Sequence, residues 1–227
     1  MAYKSHQMEQ EIAILIADLS GYTALTETHG ATTAADLIDK YIVIVNNCLV
    51  GDSHLHARVG DGVVIVSTSA DSLISTSIML FQNTLEEDNF LQVHGGLHYG
   101  RILKRNNDYY GTTINLAARI AAKANPGSIW CSTEYINALN NKSDFTFQSK
   151  GKHSFKNISD GIDVHEIIIN NPKSFHIDPV CRMLINERRN AIPHPTDETL
   201  FFCSKYCLDV YTNNNIKNKD QIIKESF

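Results

Sequence analysis

The chain has 227 residues, of which 43% are hydrophobic and 20% are charged, and its formal net charge is -5. This composition is typical of a globular protein of one or two domains, and the lack of a basic excess argues against nucleic acid as a partner. There is no apolar run of about 18 residues and no basic-then-apolar N-terminal signal, so the sequence predicts a cytoplasmic protein with no membrane partner.

The hydrophobic pattern predicts alternating strands and helices. An apolar run at 11–17 is typical of a buried strand, and residues 31–50 carry apolar residues at helical spacing. A hairpin over 54–67, a helix over 70–88 and a strand over 91–103 follow. This order predicts an α+β fold with a ferredoxin-like βαββαβ core, to which a later helix and small strands are added.

Residues 106–119, NNDYYGTTINLAAR, combine a glycine turn with a helical pattern. Asn115 and Arg119 are four residues apart, so they share one face of a helix, where an amide and a guanidinium suit the binding of a phosphate. Beside them the pattern predicts an apolar face made of Ile114, Ala117, Ala118, Ala121 and Ala122. The alternative is an ordinary amphipathic helix whose polar residues are solvated.

Two aspartates stand at turns after predicted strands. Asp18 follows the first apolar run and leads to Gly21, a position that suits either a functional site or a helix N-cap. Asp61 lies in the Gly-Asp-Gly turn of the hairpin, and such turns are frequent without any function. Local sequence alone therefore leaves the role of both carboxylates open.

The cysteines favour a metal site near the C-terminus. Their odd number argues against a complete disulfide framework, and three of the five, Cys181, Cys203 and Cys207, lie in the last quarter of the chain. The turn residues at 171–174 predict a boundary there. We therefore expect one domain over 1–171 and a small cysteine-containing module with a polar tail over 172–227.

Four segments, in this order, resemble the class III nucleotide cyclase catalytic domain: ILIADLSGYT, VGDGVVIVS, GGLHYG and DYYGTTINLAAR. The resemblance covers about residues 10–170. It implies conversion of ATP to cyclic AMP and pyrophosphate by attack of the ribose 3′-OH on the α-phosphate. It also implies that Asp18 and Asp61 hold two Mg²⁺ or Mn²⁺ ions in each active site.

The same resemblance implies roles for four further residues. Asn115 would orient the ribose, and Arg119 would stabilise charge on the α-phosphate. Asp108 would accept a hydrogen bond from the adenine amino group, and Lys156 would contact the terminal phosphates. The family builds its site across a dimer, with the aspartates from one chain and the other contacts from its partner, so a symmetric homodimer is expected.

One position departs from the family pattern. Ala57 stands four residues before the second aspartate, where the family usually has a lysine and guanylate cyclases commonly have a glutamate. Strand alternation points His56 and Arg58 to the opposite face, so they could substitute only if a bulge shifts the register. GTP therefore stays open as a substrate. A catalytically degenerate or relaxed-specificity nucleotide-binding regulator is the alternative function.

Residues 175–211 resemble the YHS domain, a small metal-associated module, through DPVCRM at 178–183 and FFCSKYC at 201–207. Three thiolates make a soft ligand set, for which Zn²⁺ and Cu⁺ are the candidates. His194 is the nearest candidate for a fourth ligand, and an open fourth position is the other possibility. A metal-sensing module is a further alternative function, and cysteines packed as small apolar residues are the structural alternative.

Overall fold

The computed structural model describes residues 7–106, 108–155, 161–169, 175–186 and 191–224. The described residues form two compact units. Unit 1 is drawn from Met1–Leu19, Tyr41–Asn83 and Val93–Asn171, and unit 2 from Ser20–Lys40, Thr84–Gln92 and Pro172–Phe227. The boundary near residue 171 stays a prediction, since each unit combines segments that are distant in sequence.

Unit 1 is built on an eight-stranded sheet. Its strands are β1 (Gln7–Ser20), β2 (His54–Val59), β3 (Gly62–Ser67), β4 (Gln92–Arg105), β5 (Asp108–Tyr110), β6 (Ile129–Ser132), β7 (Phe147–His153) and β8 (Ile162–Ile167). The strand order is β2-β3-β1-β4-β6-β8-β7, and β5 pairs with β4. The helices that lie between these strands in sequence include α1 (Tyr22–Asn47), of which the part up to Lys40 belongs to unit 2, α2 (Ala70–Glu86), α3 (Thr112–Ala121) and α4 (Thr133–Ala138).

The element order β1-α1-β2-β3-α2-β4, with strand order β2-β3-β1-β4, confirms the predicted α+β fold and its βαββαβ core. Pairing of β1 with β3 is antiparallel and sets Ile14 opposite Val66. The paired stretches, residues 13–17 of β1 and 63–66 of β3, are apolar, and burial of that apolar surface stabilises the centre of the sheet. Among the later strands, β7 pairs with β8 in the antiparallel sense.

Two elements extend well beyond their predicted bounds. β1 extends to Ser20, so Asp18 lies within the strand and not in a loop that caps a helix. α1 begins at Tyr22, nine residues before the predicted start at 31. Gly30 interrupts its helical geometry with φ 84 and ψ 166, so the regular helical spacing of apolar residues becomes visible only beyond this glycine.

Helix α3 is rotated relative to its predicted orientation. Its buried side chains are Thr113, Leu116, Ala117, Ile120 and Ala121, whereas Ala118 and Ala122 are exposed. Leu116 and Ile120 pack with Trp130, Phe155 and Val164, and these large side chains bury more apolar area than alanines could. The exposed alanines therefore lie on the same side as Asn115.

Among its described residues, unit 2 contains short strands besides its helical segments. β9 (Phe175–Ile177) pairs with β10 (Leu184–Asn186), and β11 (Ile192–Pro193) pairs with β12 (Phe201–Phe202). Helix α5 (Lys205–Lys224) follows. In the part of the chain that the structure describes, no helix is long and apolar enough to cross a membrane. The cytoplasmic location stays a prediction.

Candidate active site

Asp18 and Asp61 approach each other because β1 pairs with β3. The register sets Ala17 opposite Val63, so Asp18 lies beside the turn that carries Asp61. A Cβ atom at Gly62 would stand 3.2 Å from Asp18 Oδ1 and 3.3 Å from a backbone carbonyl, so a glycine keeps room for this approach. Burial and the charge of Asp18 together raise the pKa of Asp61. The two residues therefore form a carboxylate pair.

A cavity of about 380 Å³ opens beside this pair. Its lining includes Asp18, His94 of β4 and Asn115 of α3, and its walls are mostly apolar. Val59 and Gly62, on either side of the turn that holds Asp61, also line it. The structure thus brings two predicted site elements, the strand β1 and the helix α3, to one cavity.

His94 is a residue of this cavity that the sequence did not predict. Its charge lowers the pKa of Asp61, so it acts on the carboxylate pair as well as lining the cavity. The signal available in sequence was its place beside Gly95 and Gly96 in the predicted strand. A histidine on a strand is not distinctive without knowledge of the neighbouring strand.

Gly96 of β4 positions α3. A Cβ atom at Gly96 would lie 2.2 Å from Ala121 N and 2.4 Å from Ala117 O, so the helix backbone rests directly on the strand. This close approach fixes the height of α3 above the sheet, and with it Asn115. Arg119 follows one turn later and is half-buried.

Asp108 lies at a second cavity, of about 430 Å³. The residues that line it are His54, Leu55, His56, Lys104, Asp108 and Tyr109. The ring of His56 meets that of Tyr109 edge-on, with 4.8 Å between the centroids, and Lys104 Nζ lies 5.4 Å from the Tyr109 centroid. This cavity is polar and aromatic, as suits a heterocyclic base. Lys156 lies outside the described residues.

A β-bulge explains why His56 reaches this cavity. Leu55 pairs with Ile65 and Ala57 with Val64, so His56 has no opposite residue on β3. The strict alternation predicted for β2 is therefore broken at His56. Ala57 packs instead against the apolar cluster that includes Val64 and Ile102. Burial lowers the pKa of His56, although the charge of Asp108 acts in the opposite direction.

The carboxylate pair has the donor chemistry that suits a hard divalent cation. Mg²⁺ and Mn²⁺ prefer carboxylate oxygens, and a cation placed between Asp18 and Asp61 would relieve the repulsion that contributes to the raised pKa of Asp61. The residues present therefore fit a divalent metal.

The three C-terminal cysteines predicted to bind metal come together in unit 2. His194 does not join them. Its Nδ1 atom lies 3.4 Å from both the backbone nitrogen and the hydroxyl of Thr196, and its ring lies against Phe202 and Tyr211. The imidazole that joins the sulfurs within the described residues is that of His29, from α1. No local motif predicts this residue, because it precedes the cysteines by most of the chain.

Comparison with protein families gives one match that covers most of the chain. The family model of the adenylate and guanylate cyclase catalytic domain matches residues 4–169. The chain belongs to this family. Class III cyclases use Mg²⁺ or Mn²⁺, in agreement with the donor chemistry of Asp18 and Asp61. The YHS resemblance of the C-terminal segment stays a prediction.

Related proteins support the same assignment at modest identity. The chain is 36% identical over 124 residues to the uncharacterized protein Rv2212 of Mycobacterium tuberculosis, covering 54% of this chain and 33% of that protein. It is 29% identical over 139 residues to an adenylate cyclase of Glutamicibacter nicotianae, covering 61% and 34%. The chain therefore spans about a third of the length of these curated relatives.

The fold is also similar to that of solved cyclases. The adenylyl cyclase CyaB of Pseudomonas aeruginosa superposes with a TM-score of 0.62 at 17% identity, over 74% of this chain and 98% of that one. At this identity the similarity establishes the fold.

Proposed function

We propose that this chain converts ATP to cyclic AMP and pyrophosphate. The observation that carries the proposal is the pairing of the Asp18 and Asp61 carboxylates where β1 lies beside the β2–β3 turn, in a chain of the cyclase family. A carboxylate pair and a polar helix face are the groups that a phosphoryl displacement needs, because its catalysis depends on positioning and charge stabilisation.

The reaction joins the ribose 3′ oxygen to the α-phosphorus of the same nucleotide. The bond from this phosphorus to the oxygen that bridges to the β-phosphate breaks, and pyrophosphate leaves with the electron pair of that bond. The hydroxyl proton passes to solvent. Asp18 and Asp61 would hold two divalent ions, which would supply positive charge for the triphosphate and the attacking oxygen.

The protein side chains orient and stabilise the reacting groups. The amide of Asn115 hydrogen-bonds the ribose, which holds the 3′ oxygen in line with the leaving group. The guanidinium of Arg119 donates to the α-phosphate oxygens, where negative charge develops. Lys156 contacts the terminal phosphates and stabilises the leaving pyrophosphate.

We further propose that the active unit is a homodimer with two sites. Each site takes Asp18 and Asp61 from one chain, and Asn115 and Arg119 from the other. Exposed apolar side chains support an interface on this side of the molecule. Val59, beside the Asp61 turn, is 68% exposed, and Tyr110, at the end of β5, is 52% exposed.

Selection of adenine is assigned to Asp108 together with His56. A carboxylate accepts a hydrogen bond from the adenine amino group, whereas guanine offers an oxygen at that position. A neutral imidazole can donate one hydrogen bond and accept another, so His56 can replace the purine contact that Ala57 cannot make. The support is that His56 and Asp108 line the same cavity.

The test is a product assay on the purified chain. We expect cyclic AMP from ATP in the presence of Mn²⁺ or Mg²⁺, with less product from GTP. Asp61→Asn and Arg119→Ala should each lower kcat by about 100-fold or more, since each removes charge stabilisation from the transition state. Asp36→Asn, at an exposed position of α1, is the matched control and should keep full activity.

Two outcomes distinguish the alternatives. If the chain binds nucleotide tightly but forms no cyclic product with either Mn²⁺ or Mg²⁺, the degenerate regulator is favoured and the proposal is contradicted. Equal kcat/KM for ATP and GTP would leave the cyclase reaction in place and contradict only the adenine selectivity.

A further inference from the structure

Three thiols and one imidazole of unit 2 surround a common point. We name them the thiol–imidazole cluster, which consists of His29, Cys181, Cys203 and Cys207. Cys203 Sγ lies 3.5 Å from Cys181 Sγ and 3.6 Å from Cys207 Sγ. His29 Nε2 lies 3.5 Å from Cys207 Sγ and 3.9 Å from Cys203 Sγ. All four ligand atoms lie within 4.8 Å of one another.

The four distances of 3.5–3.9 Å are close to those of a tetrahedral zinc site. Zn–S bonds of about 2.3 Å and Zn–N bonds of about 2.0–2.1 Å set two sulfurs about 3.8 Å apart, and a sulfur and a nitrogen about 3.6 Å apart. The sulfur–sulfur distances are also far longer than the bond of about 2.0 Å in a disulfide. The cluster is therefore spaced for coordination around one ion.

The backbone around the cluster is built to hold the sulfurs in place. The carboxylate of Asp178 is fully buried and accepts hydrogen bonds from the backbone N–H groups of Val180 and Cys181 through Oδ1, and of Cys203 through Oδ2. One side chain thus fixes two of the cysteine-bearing segments relative to each other. Such outer contacts are what orient the ligands of a metal site.

The third cysteine is placed by the start of α5. The hydroxyl of Ser204 accepts a hydrogen bond from the backbone N–H of Cys207, as a helix N-cap does. The helix then turns Cys207 back toward Cys203, because residues four apart share a helix face. Cys181 and Cys207 are fully buried.

We propose that the thiol–imidazole cluster binds one Zn²⁺ ion as a closed four-coordinate site. Three thiolates and a neutral imidazole are a set that structural zinc sites use, whereas Cys₃His offers a fourth ligand that Cu⁺ does not require. Cysteines that merely fill apolar space would not need an imidazole nitrogen aimed at two of the sulfurs.

The ion would cross-link separate segments of the chain within unit 2. The strands of this unit are two or three residues long, so its sheet contributes little stability by itself. His29 belongs to α1, while the three cysteines belong to the C-terminal segment. Coordination would therefore hold together parts of the chain that are far apart in sequence.

The first experiment uses the full purified chain. We expect about one equivalent of zinc by mass spectrometry, and, after replacement by Co²⁺, the intense visible bands of a tetrahedral site with thiolate-to-cobalt charge transfer. Chelation should lower the unfolding temperature, and added Zn²⁺ should restore it. A chain that binds neither ion stoichiometrically after reduction and reconstitution would overturn the proposal, as would preferential stoichiometric binding of Cu⁺.

The second experiment tests His29 itself. His29→Ala should weaken zinc binding at least tenfold and shift the cobalt bands, because one protein ligand is lost. His29→Cys should restore tetrahedral binding with a fourth thiolate. The matched control is His194→Ala, which should change neither. Unaltered cobalt spectra in both His29 variants would overturn the assignment of this ligand. Metal binding and the cobalt spectrum are measured without cyclase activity, so a failure of the zinc proposal is distinguishable from a failure of the proposed reaction.

Discussion

At the scale of single residues, the carboxylate pair has opposite effects on function and on stability. Burial and Asp18 raise the pKa of Asp61 above the value of about 4 that it has in an unfolded chain. The native state therefore binds this proton more tightly than the unfolded state does. In the absence of metal, the free energy of unfolding falls as pH rises through the interval between these two pKa values.

This linkage predicts the behaviour of Asp61→Asn. The asparagine side chain cannot ionise. The decrease in the free energy of unfolding that ionisation of Asp61 causes as pH rises should therefore be absent in this variant. In metal-free buffer at neutral pH, it should unfold at the same temperature as the natural protein or higher, while it loses catalysis. Thermal unfolding from pH 4 to 8 measures this, with Asp36→Asn as the control. A lower unfolding temperature for Asp61→Asn at neutral pH would contradict the prediction.

The bulged residue His56 leads to a prediction about substrate binding. If His56 contacts the base, His56→Ala should raise the KM for ATP roughly 5- to 100-fold, the effect of losing one polar contact in a partly buried site. The value of kcat should change much less, because the base is remote from the reacting phosphorus. Steady-state kinetics with ATP and GTP measure both parameters.

Arg58→Ala is the matched control for His56. Arg58 is exposed and paired opposite Val63, and it is not among the residues that line the cavity of Asp108. This variant should keep the KM of the natural protein. An increase in KM that is equal in both variants would indicate a general disturbance of β2 and not a contact with the base.

At the scale of secondary-structure elements, the contact between β4 and α3 controls the site. Gly96→Ala would place a Cβ atom 2.2 Å from Ala121 N, so the helix must move away from the sheet. We expect a loss of about 1–3 kcal/mol in the free energy of unfolding, together with a fall in kcat because Asn115 moves with the helix. Denaturant unfolding and kinetics measure the two effects.

The control for Gly96→Ala is Gly151→Ala in β7. Gly151 has φ 82, and a Cβ atom added there would meet no other atom within 4 Å, so alanine strains only the local backbone. It should lower stability by about 1–2 kcal/mol and leave kcat unchanged. Full activity in Gly96→Ala would show that the height of α3 does not position the catalytic groups.

At the scale of the whole molecule, a shared active site predicts complementation. Asp61→Asn and Arg119→Ala homodimers should both be inactive. Equal mixing with subunit exchange should restore about a quarter of the natural activity, because half of the dimers are mixed and each has one intact site of two. Activity after co-expression or mixing measures this. No recovery, although mixed dimers are shown to form, would contradict a site shared between chains.

The sequence by itself determined the order of the elements and supplied the candidate residues of the main site. The spacing of hydrophobic residues along the chain distinguishes a strand from a helix. The βαββαβ core could therefore be predicted without knowledge of tertiary contacts. Asp18, Asp61 and Asn115 could be proposed as site residues from the sequence, because the cyclase motifs that contain them are short and continuous. The ends of elements were harder to predict. The predicted start of α1 misses the residues before Gly30, because this glycine interrupts the helical spacing of apolar residues.

The tertiary structure decided which distant groups meet. His29 lies 174 and 178 positions before the cysteines whose sulfurs it faces, and no local pattern encodes such a meeting. The bulge at His56 depends on how β2 pairs with β3, and the rotation of α3 depends on large side chains that pack beneath it. Periodicity is a local property of the chain, whereas register, bulges and metal-ligand sets arise only when separate segments pack together.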